Sequence, residues 1–123
     1  MKILIVEDEE ILAKVLEEKF ENSGFKVAIA SDGESVLSTA KKFNPDIMLL
    51  DIILPKLDGI EVLTRLKEDE DLKNIPVIML SNLNDDEKIK QALSLGAVDY
   101  MTKIQHPINE VIEKVNRYIL KAK

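Results

Sequence analysis

Residues Ile47 to Pro55 read IMLLDIILP, an almost unbroken apolar run interrupted by one carboxylate, Asp51. A continuous run of this length, without the alternation of a half-exposed strand, is expected of a strand covered on both faces. The fold question therefore begins with what covers it. The chemical question begins with Asp51, because an ionised carboxylate set in such surroundings is costly unless something compensates its charge.

Working outward, four more runs have the same character: KILIV (Lys2 to Val6), KVAIA (Lys26 to Ala30), VIMLS (Val77 to Ser81) and VDYMTK (Val98 to Lys103), with DIMLLD (Asp46 to Asp51) as the third of five. Between them lie stretches with helical spacing. The first places Ile11, Leu12, Val15, Leu16 and Phe20 on one stripe, with Glu17, Glu18 and Glu21 opposite and Gly24 as the stop. The second, near Glu34 to Phe43, offers Val36, Leu37 and Ala40, and the third, near Gly59 to Glu68, offers Val62, Leu63 and Leu66. A fourth follows NDDEK, whose Asn and Asp suit a helix start, carries Ile89, Ala92 and Leu93, and ends at Gly96. The fifth begins near Pro107 with Val111, Ile112, Val115 and Ile119. Strands alternating with helices imply right-handed βαβ units, so the expected fold class is α/β, a parallel sheet wrapped on both sides.

At 123 residues one domain, 1–123, is expected, with no repeat, linker or low-complexity segment. Hydrophobic residues make up 46% and charged ones 33%, which fits a folded globular chain rather than a disordered one. A net charge of −6 disfavours direct nucleic-acid binding and anionic membrane surfaces. The absence of cysteine excludes disulfides, thiolate metal sites and a cysteine nucleophile. MKILIVEDEE turns acidic too soon for a signal peptide, and no run reaches membrane-span length, so a cytoplasmic location is expected.

In an open parallel sheet, ligands bind beyond the carboxyl ends of the strands. The first strand ends in Glu7 and Asp8, the third in Asp51, the fourth in Ser81 and the fifth in Lys103, whereas the second ends in Ala30 and Ser31. Carboxylates from neighbouring strands repel unless a cation joins them, and a hard ion such as Mg²⁺ suits them, with Asp51, Asp8 and Glu7 as ligands. Glu9 and Glu10 read more simply as acidic residues complementing the start of a helix. Ser81 and Lys103, plain turn and strand-end residues when taken singly, gain meaning from converging on the same edge.

The motifs ILIVEDEE, LLDIILPKLDG, VIMLS and DYMTK, in this order and spacing, resemble the receiver domains of two-component response regulators over essentially the whole chain. The resemblance implies a flavodoxin-like three-layer fold, with five parallel strands in the order 2-1-3-4-5 and five flanking helices. It implies that Asp51 accepts a phosphoryl group from a histidine kinase or histidine phosphotransfer protein. It further implies that Asp8, Glu7, Asp51 and the backbone carbonyl of Ile53 hold Mg²⁺. Ser81 and Lys103 would engage the phosphoryl group and Tyr100 would be the aromatic switch, acting on the surface around the fourth helix, fifth strand and fifth helix. A domain of this kind catalyses its own phosphorylation and dephosphorylation. Its downstream partner is a protein, and the chain is expected as a monomer or a weak phosphorylation-dependent dimer. A receiver-like module that binds partners without phosphorylation is the alternative.

Three positions depart from the family pattern. Ile104 follows Lys103 where the family has a proline in a cis peptide; a cis bond before Ile104 would cost about 3 to 4 kcal/mol, so a loop of different shape is expected. Glu7 replaces the commoner aspartate. Ile53 and Leu83 are apolar at positions that influence acyl-phosphate hydrolysis, which predicts a long-lived phosphorylated state. His106, the only histidine, is given no catalytic role. A phosphatase resembling haloacid dehalogenases would want an aspartate where Ile53 stands, and a flavin carrier would not put EDEE after the first strand, since it would repel a phosphate.

Overall fold

The apolar runs form the strands of one sheet in the computed structural model, which describes residues 1–82, 85–103 and 107–122. Its elements in chain order are β1 (Lys2–Val6), α1 (Glu10–Asn22), β2 (Lys26–Ala30), α2 (Val36–Phe43), β3 (Ile47–Leu50), α3 (Gly59–Glu68), β4 (Val77–Ser81), α4 (Asp86–Ser94), β5 (Asp99–Thr102) and α5 (Ile108–Ala122). All pairings are parallel and the strand order is β2-β1-β3-β4-β5, as the sequence pattern and the resemblance imply. The expected Ile104 loop, Leu83 and His106 lie outside the described residues.

Both sheet faces are covered, which is why the strands read as continuous apolar runs. Because side chains alternate along a strand, each run divides between two cores. Leu4, Val6, Met48, Leu50, Val77 and Met79 meet Val36, Ala40, Val62, Leu63, Leu66 and Ala92 from α2, α3 and α4. Ile3, Ile5, Ile47, Leu49, Ile78, Leu80 and Met101 meet Leu16, Phe20, Val111, Val115 and Ile119 from α1 and α5. Asp58 caps α3 by accepting the Glu61 amide at 3.0 Å, and Asp85 caps α4 by accepting that of Glu87 at 2.9 Å. Gly24 and Gly96 follow α1 and α4 with φ of 94° and 110°, as helix stops require.

The apolar stripe expected on the first helix is partly corrected. Ile11 is 82% exposed and Val15 36%, because the face of α1 that meets the sheet runs through Ala13, Leu16 and Phe20 instead. Leu93 is likewise exposed, since α4 buries only Ala92 among its described residues. The second helix starts two residues later than expected: Asp32 accepts the Ser35 amide at 2.9 Å and holds 32–35 in a turn.

Candidate functional site

Strand register puts the acidic residues side by side. Val6 pairs with Leu50, so Glu7 and Asp51 emerge one step beyond the last paired residues of the neighbouring strands β1 and β3. The Asp51 amide donates to the Val6 carbonyl at 3.2 Å, and the Glu7 amide to that of Ala30 at 3.0 Å. Ser81 pairs with Thr102, and the Lys103 amide continues the ladder by donating to the Ser81 carbonyl at 3.1 Å.

Alternation then decides which side chains meet. Glu7 continues the series Ile3 and Ile5, Asp51 continues Ile47 and Leu49, and Lys103 continues Met101, all on the sheet face covered by α1 and α5. Lys103 Nζ donates to Asp51 Oδ2 at 2.8 Å and to Glu7 Oε1. Ser81 continues Val77 and Met79 on the opposite face, where Tyr100 packs, and the Ser81 and Tyr100 side chains are hydrogen-bonded. The site thus has an ionic half and a hydroxyl half, separated by the plane of the sheet.

Glu7 is 3% exposed, Asp51 5% and Ser81 fully buried, while Asp8 is exposed. Carboxylate oxygens of Glu7, Asp8 and Asp51 all lie within 4.8 Å of one another. One ammonium therefore serves two buried carboxyls, with a third at the rim. The imbalance falls on Glu7: burial pushes its carboxyl up to about 7, the Lys103 bond opposing this and the neighbouring Asp51 reinforcing it. Burial pulls Lys103 down, but its bonds to Asp51 and Glu7 outweigh that, leaving it above its usual value. Burial also raises Tyr100, the Ser81 bond opposing and the charges of Asp51 and Asp85 reinforcing.

Glu7 Oε2 is buried and has no hydrogen-bond partner among the described residues. An orphaned buried oxygen beside two further carboxylates is a donor set of hard oxygens with excess negative charge, and it fits a divalent cation such as Mg²⁺. Asp51 Oδ1 accepts the Ile53 amide at 3.2 Å, which orients the carboxylate, and Ile53 itself is 60% exposed at the lip.

The segment from Asp51 to Gly59 is fixed by a close approach. A methyl group on Gly59 would lie 2.0 Å from the Asp51 carbonyl oxygen, and the Gly59 amide donates to the Ile52 carbonyl at 2.7 Å. Only glycine permits this approach of α3 to the end of β3.

Among the described residues, Glu7, Asp8, Asp51 and Lys103 come together at this edge, with Ser81 at the end of β4 beside them, but with altered emphasis. Glu7, which stands where the family commonly has aspartate, is the more deeply buried of the first acidic pair and is bonded to Lys103. Parity along β1 carried that signal, since Glu7 shares the face of Ile3 and Ile5.

Residues 3–116 match the profile of the response regulator receiver domain family. The chain is 44% identical over 102 residues to the alkaline phosphatase synthesis transcriptional regulatory protein PhoP of Bacillus subtilis, covering 83% of this chain and 42% of that protein. It spans about half or less of the length of the first curated relatives it matches. Among solved structures, the receiver domain of Francisella response regulator 1452 is similar with a TM-score of 0.89 and 34% identity, over 99% of this chain and 98% of that one. The phosphorylated cyanobacterial phytochrome response regulator RcpA is similar with a TM-score of 0.85 and 30% identity, over 99% and 95%. With strand order, sequence and shape in agreement, the chain belongs to the receiver domain family of two-component response regulators.

Proposed function

We propose that residues 1–123 act as one phosphorylation-controlled receiver domain in which Asp51 is the phosphoacceptor. The observation that carries this reading is the placement of Asp51. Its carboxylate is almost buried, with one oxygen on the Lys103 ammonium, the other on the Ile53 amide, and two further carboxyls within 4.8 Å. A nucleophile held in this way is aimed rather than merely present.

In the proposed step, an Asp51 oxygen forms a bond to phosphorus as the phosphorus–nitrogen bond of a phosphohistidine breaks. The departing imidazole keeps the electron pair and takes a proton from water. Lys103 holds the opposite oxygen of Asp51 and is placed to meet the incoming negative charge. Asp51, Asp8, Glu7 and the Ile53 carbonyl would hold Mg²⁺, which supplies positive charge to the phosphoryl oxygens when bound. The donor is a histidine kinase or a histidine phosphotransfer protein.

Output would follow from Ser81. A hydroxyl drawn toward a phosphoryl group on Asp51 changes its bond with Tyr100, and so biases two arrangements of the surface around α4, β5 and α5 toward a downstream protein. The test is the intact mass after incubation with Mg²⁺ and acetyl phosphate. Gain of one phosphoryl group that requires both the metal and Asp51, judged with Asp51→Ala, supports the reading. No gain overturns it in favour of a phosphorylation-independent binding module.

A further inference from the structure

The loop from β3 to α3 contains a conformation that its own sequence disfavours. Lys56 has φ of 68°, in the left-handed region that a side chain with a Cβ avoids. The Leu57 amide donates back to the Pro55 carbonyl at 2.8 Å, closing a three-residue γ-turn around Lys56. Such a turn with positive φ is rare and strained, and persists only where its surroundings impose it.

The surroundings are supplied by the segment between β2 and α2. The Gly33 amide donates to the same Pro55 carbonyl at 3.2 Å. Gly33 is buried, and a methyl group on it would lie 1.9 Å from the Leu57 carbonyl oxygen and 2.7 Å from the Leu57 carbonyl carbon. The two backbones are in direct contact, with no side chain between them. Asp32 flanks the junction from one side, its Oδ2 lying 3.9 Å from Lys56 Nζ while its Oδ1 accepts the Ser35 amide at 2.9 Å.

We infer that Gly33 is a positioning residue for the acceptor site: it clamps the Pro55–Leu57 turn, and through that turn holds the Ile53 backbone against Asp51. The mechanical path is short. The loop is pinned at one end by Gly59 against the Asp51 and Ile52 carbonyls and at its tip by Gly33 against Pro55 and Leu57. Ile53 lies between these points, its amide on Asp51 Oδ1. Its carbonyl is the ligand in the proposed metal site, so the effect on metal rests on that proposed function, whereas the effect on the amide does not. The contacts of Gly33 with the loop are with Pro55 and Leu57, so it acts on Asp51 through the loop.

Gly24 provides the matched control. It precedes β2 at the end of the sheet away from the site, has φ of 94°, and a methyl group there would meet nothing within 4 Å. Alanine at either position strains the fold, but only alanine at Gly33 pushes on the loop. Amide exchange and chemical shifts are followed by NMR in wild type, Gly33→Ala and Gly24→Ala, with Mg²⁺ titrated into each. Gly33→Ala should speed exchange of the Ile53 amide by about tenfold beyond any global loss of stability. It should also weaken Mg²⁺ by about tenfold, as loss of an outer supporting contact does, while Gly24→Ala leaves both unchanged after correction for stability. Equal behaviour of the two alanine variants at Ile53 overturns the inference. If Gly33→Ala does not fold, native exchange in the wild type decides: the Gly33 and Ile53 amides should open together with the same denaturant dependence, and independent opening overturns it. Absence of Mg²⁺ binding or phosphorylation in the wild type would count against the proposed function, and the Ile53 exchange result would still judge the clamp.

Discussion

Replacing Glu7 with glutamine should stabilise the metal-free domain at alkaline pH and leave it nearly unchanged at pH 4. The cause is burial: the carboxyl stands at about 7 in the folded chain against 4.5 when solvated. At roughly 1.4 kcal/mol for each tenfold change, this difference corresponds to about 3 kcal/mol. Below pH 4.5 both folded and unfolded states carry the proton and the folded state suffers no penalty. As pH rises from 4.5 toward 7 the unfolded chain releases its proton first, so stability falls, and the full penalty is present above 7. Glutamine removes the titration while its side-chain oxygen still accepts from Lys103, which also keeps its bond to Asp51. Lys103 loses part of its compensating charge, so the gain at pH 8 should be about 2 kcal/mol, on the order of 8 °C in Tm for a domain of this size. The assay is urea unfolding with a chelator present at pH 4 and pH 8. A variant less stable than wild type at pH 8, or a difference independent of pH, would refute the reasoning by showing that the ionised Glu7–Lys103 pair is net favourable. If the proposed metal site forms, adding Mg²⁺ should reverse the order, because the metal stabilises the chain that keeps the Glu7 carboxylate more than the glutamine variant.

The remaining predictions concern the loop from β3 to α3. Ile53→Asn puts a hydrogen-bonding group at the exposed lip beside Asp51 and should shorten the life of the acyl phosphate by about tenfold, a fraction of what a positioned general base supplies; loss of the phosphoryl mass with time measures it, and unchanged decay removes Ile53 from the account. Lys56→Asn keeps a polar residue but one more tolerant of positive φ, and should raise stability by about 0.5 to 1 kcal/mol. A loss in urea unfolding would mean that the Lys56–Asp32 contact contributes more than its 3.9 Å separation suggests.

The sheet was legible because its signal is repeated: five apolar runs of strand length, each ended by a turn or a chemical group, leave few topologies open. Strands β1, β2 and β4 have the bounds that their apolar runs suggest, whereas the charged Asp46, Asp51 and Lys103, and also Val98, fall just outside β3 and β5. Helix faces were less legible. Ile11 and Val15 fit a helical stripe as well as Leu16 does, and only the docking angle of α1 decides that Ala13 faces the sheet instead. At the site, the identities of Glu7, Asp8, Asp51, Ser81 and Lys103 could be read from strand ends, but not the division of labour between the two sheet faces. That division follows from parity along each strand and from register, Val6 against Leu50 and Ser81 against Thr102, which residue spacing alone does not supply. The Gly33–Leu57 contact joins two loops, so no local periodicity marks it.

The strand order also sets a schedule for synthesis. Glu7 and Asp51 follow the neighbouring inner strands β1 and β3, both made in the first half of the chain, while the lysine bonded to them lies 52 residues beyond Asp51, just after the edge strand β5. A chain emerging from the ribosome can join β1, β2 and β3 through their own helices while β5 is still unmade. During that interval the acidic end of the nascent sheet has no Lys103 to balance it, so protons, ions or a chaperone's basic surface are its available counter-charges. Docking of the last strand is then an electrostatic event as much as a hydrophobic one, and salt added during refolding should slow it by screening the attraction that draws Lys103 to the two carboxyls.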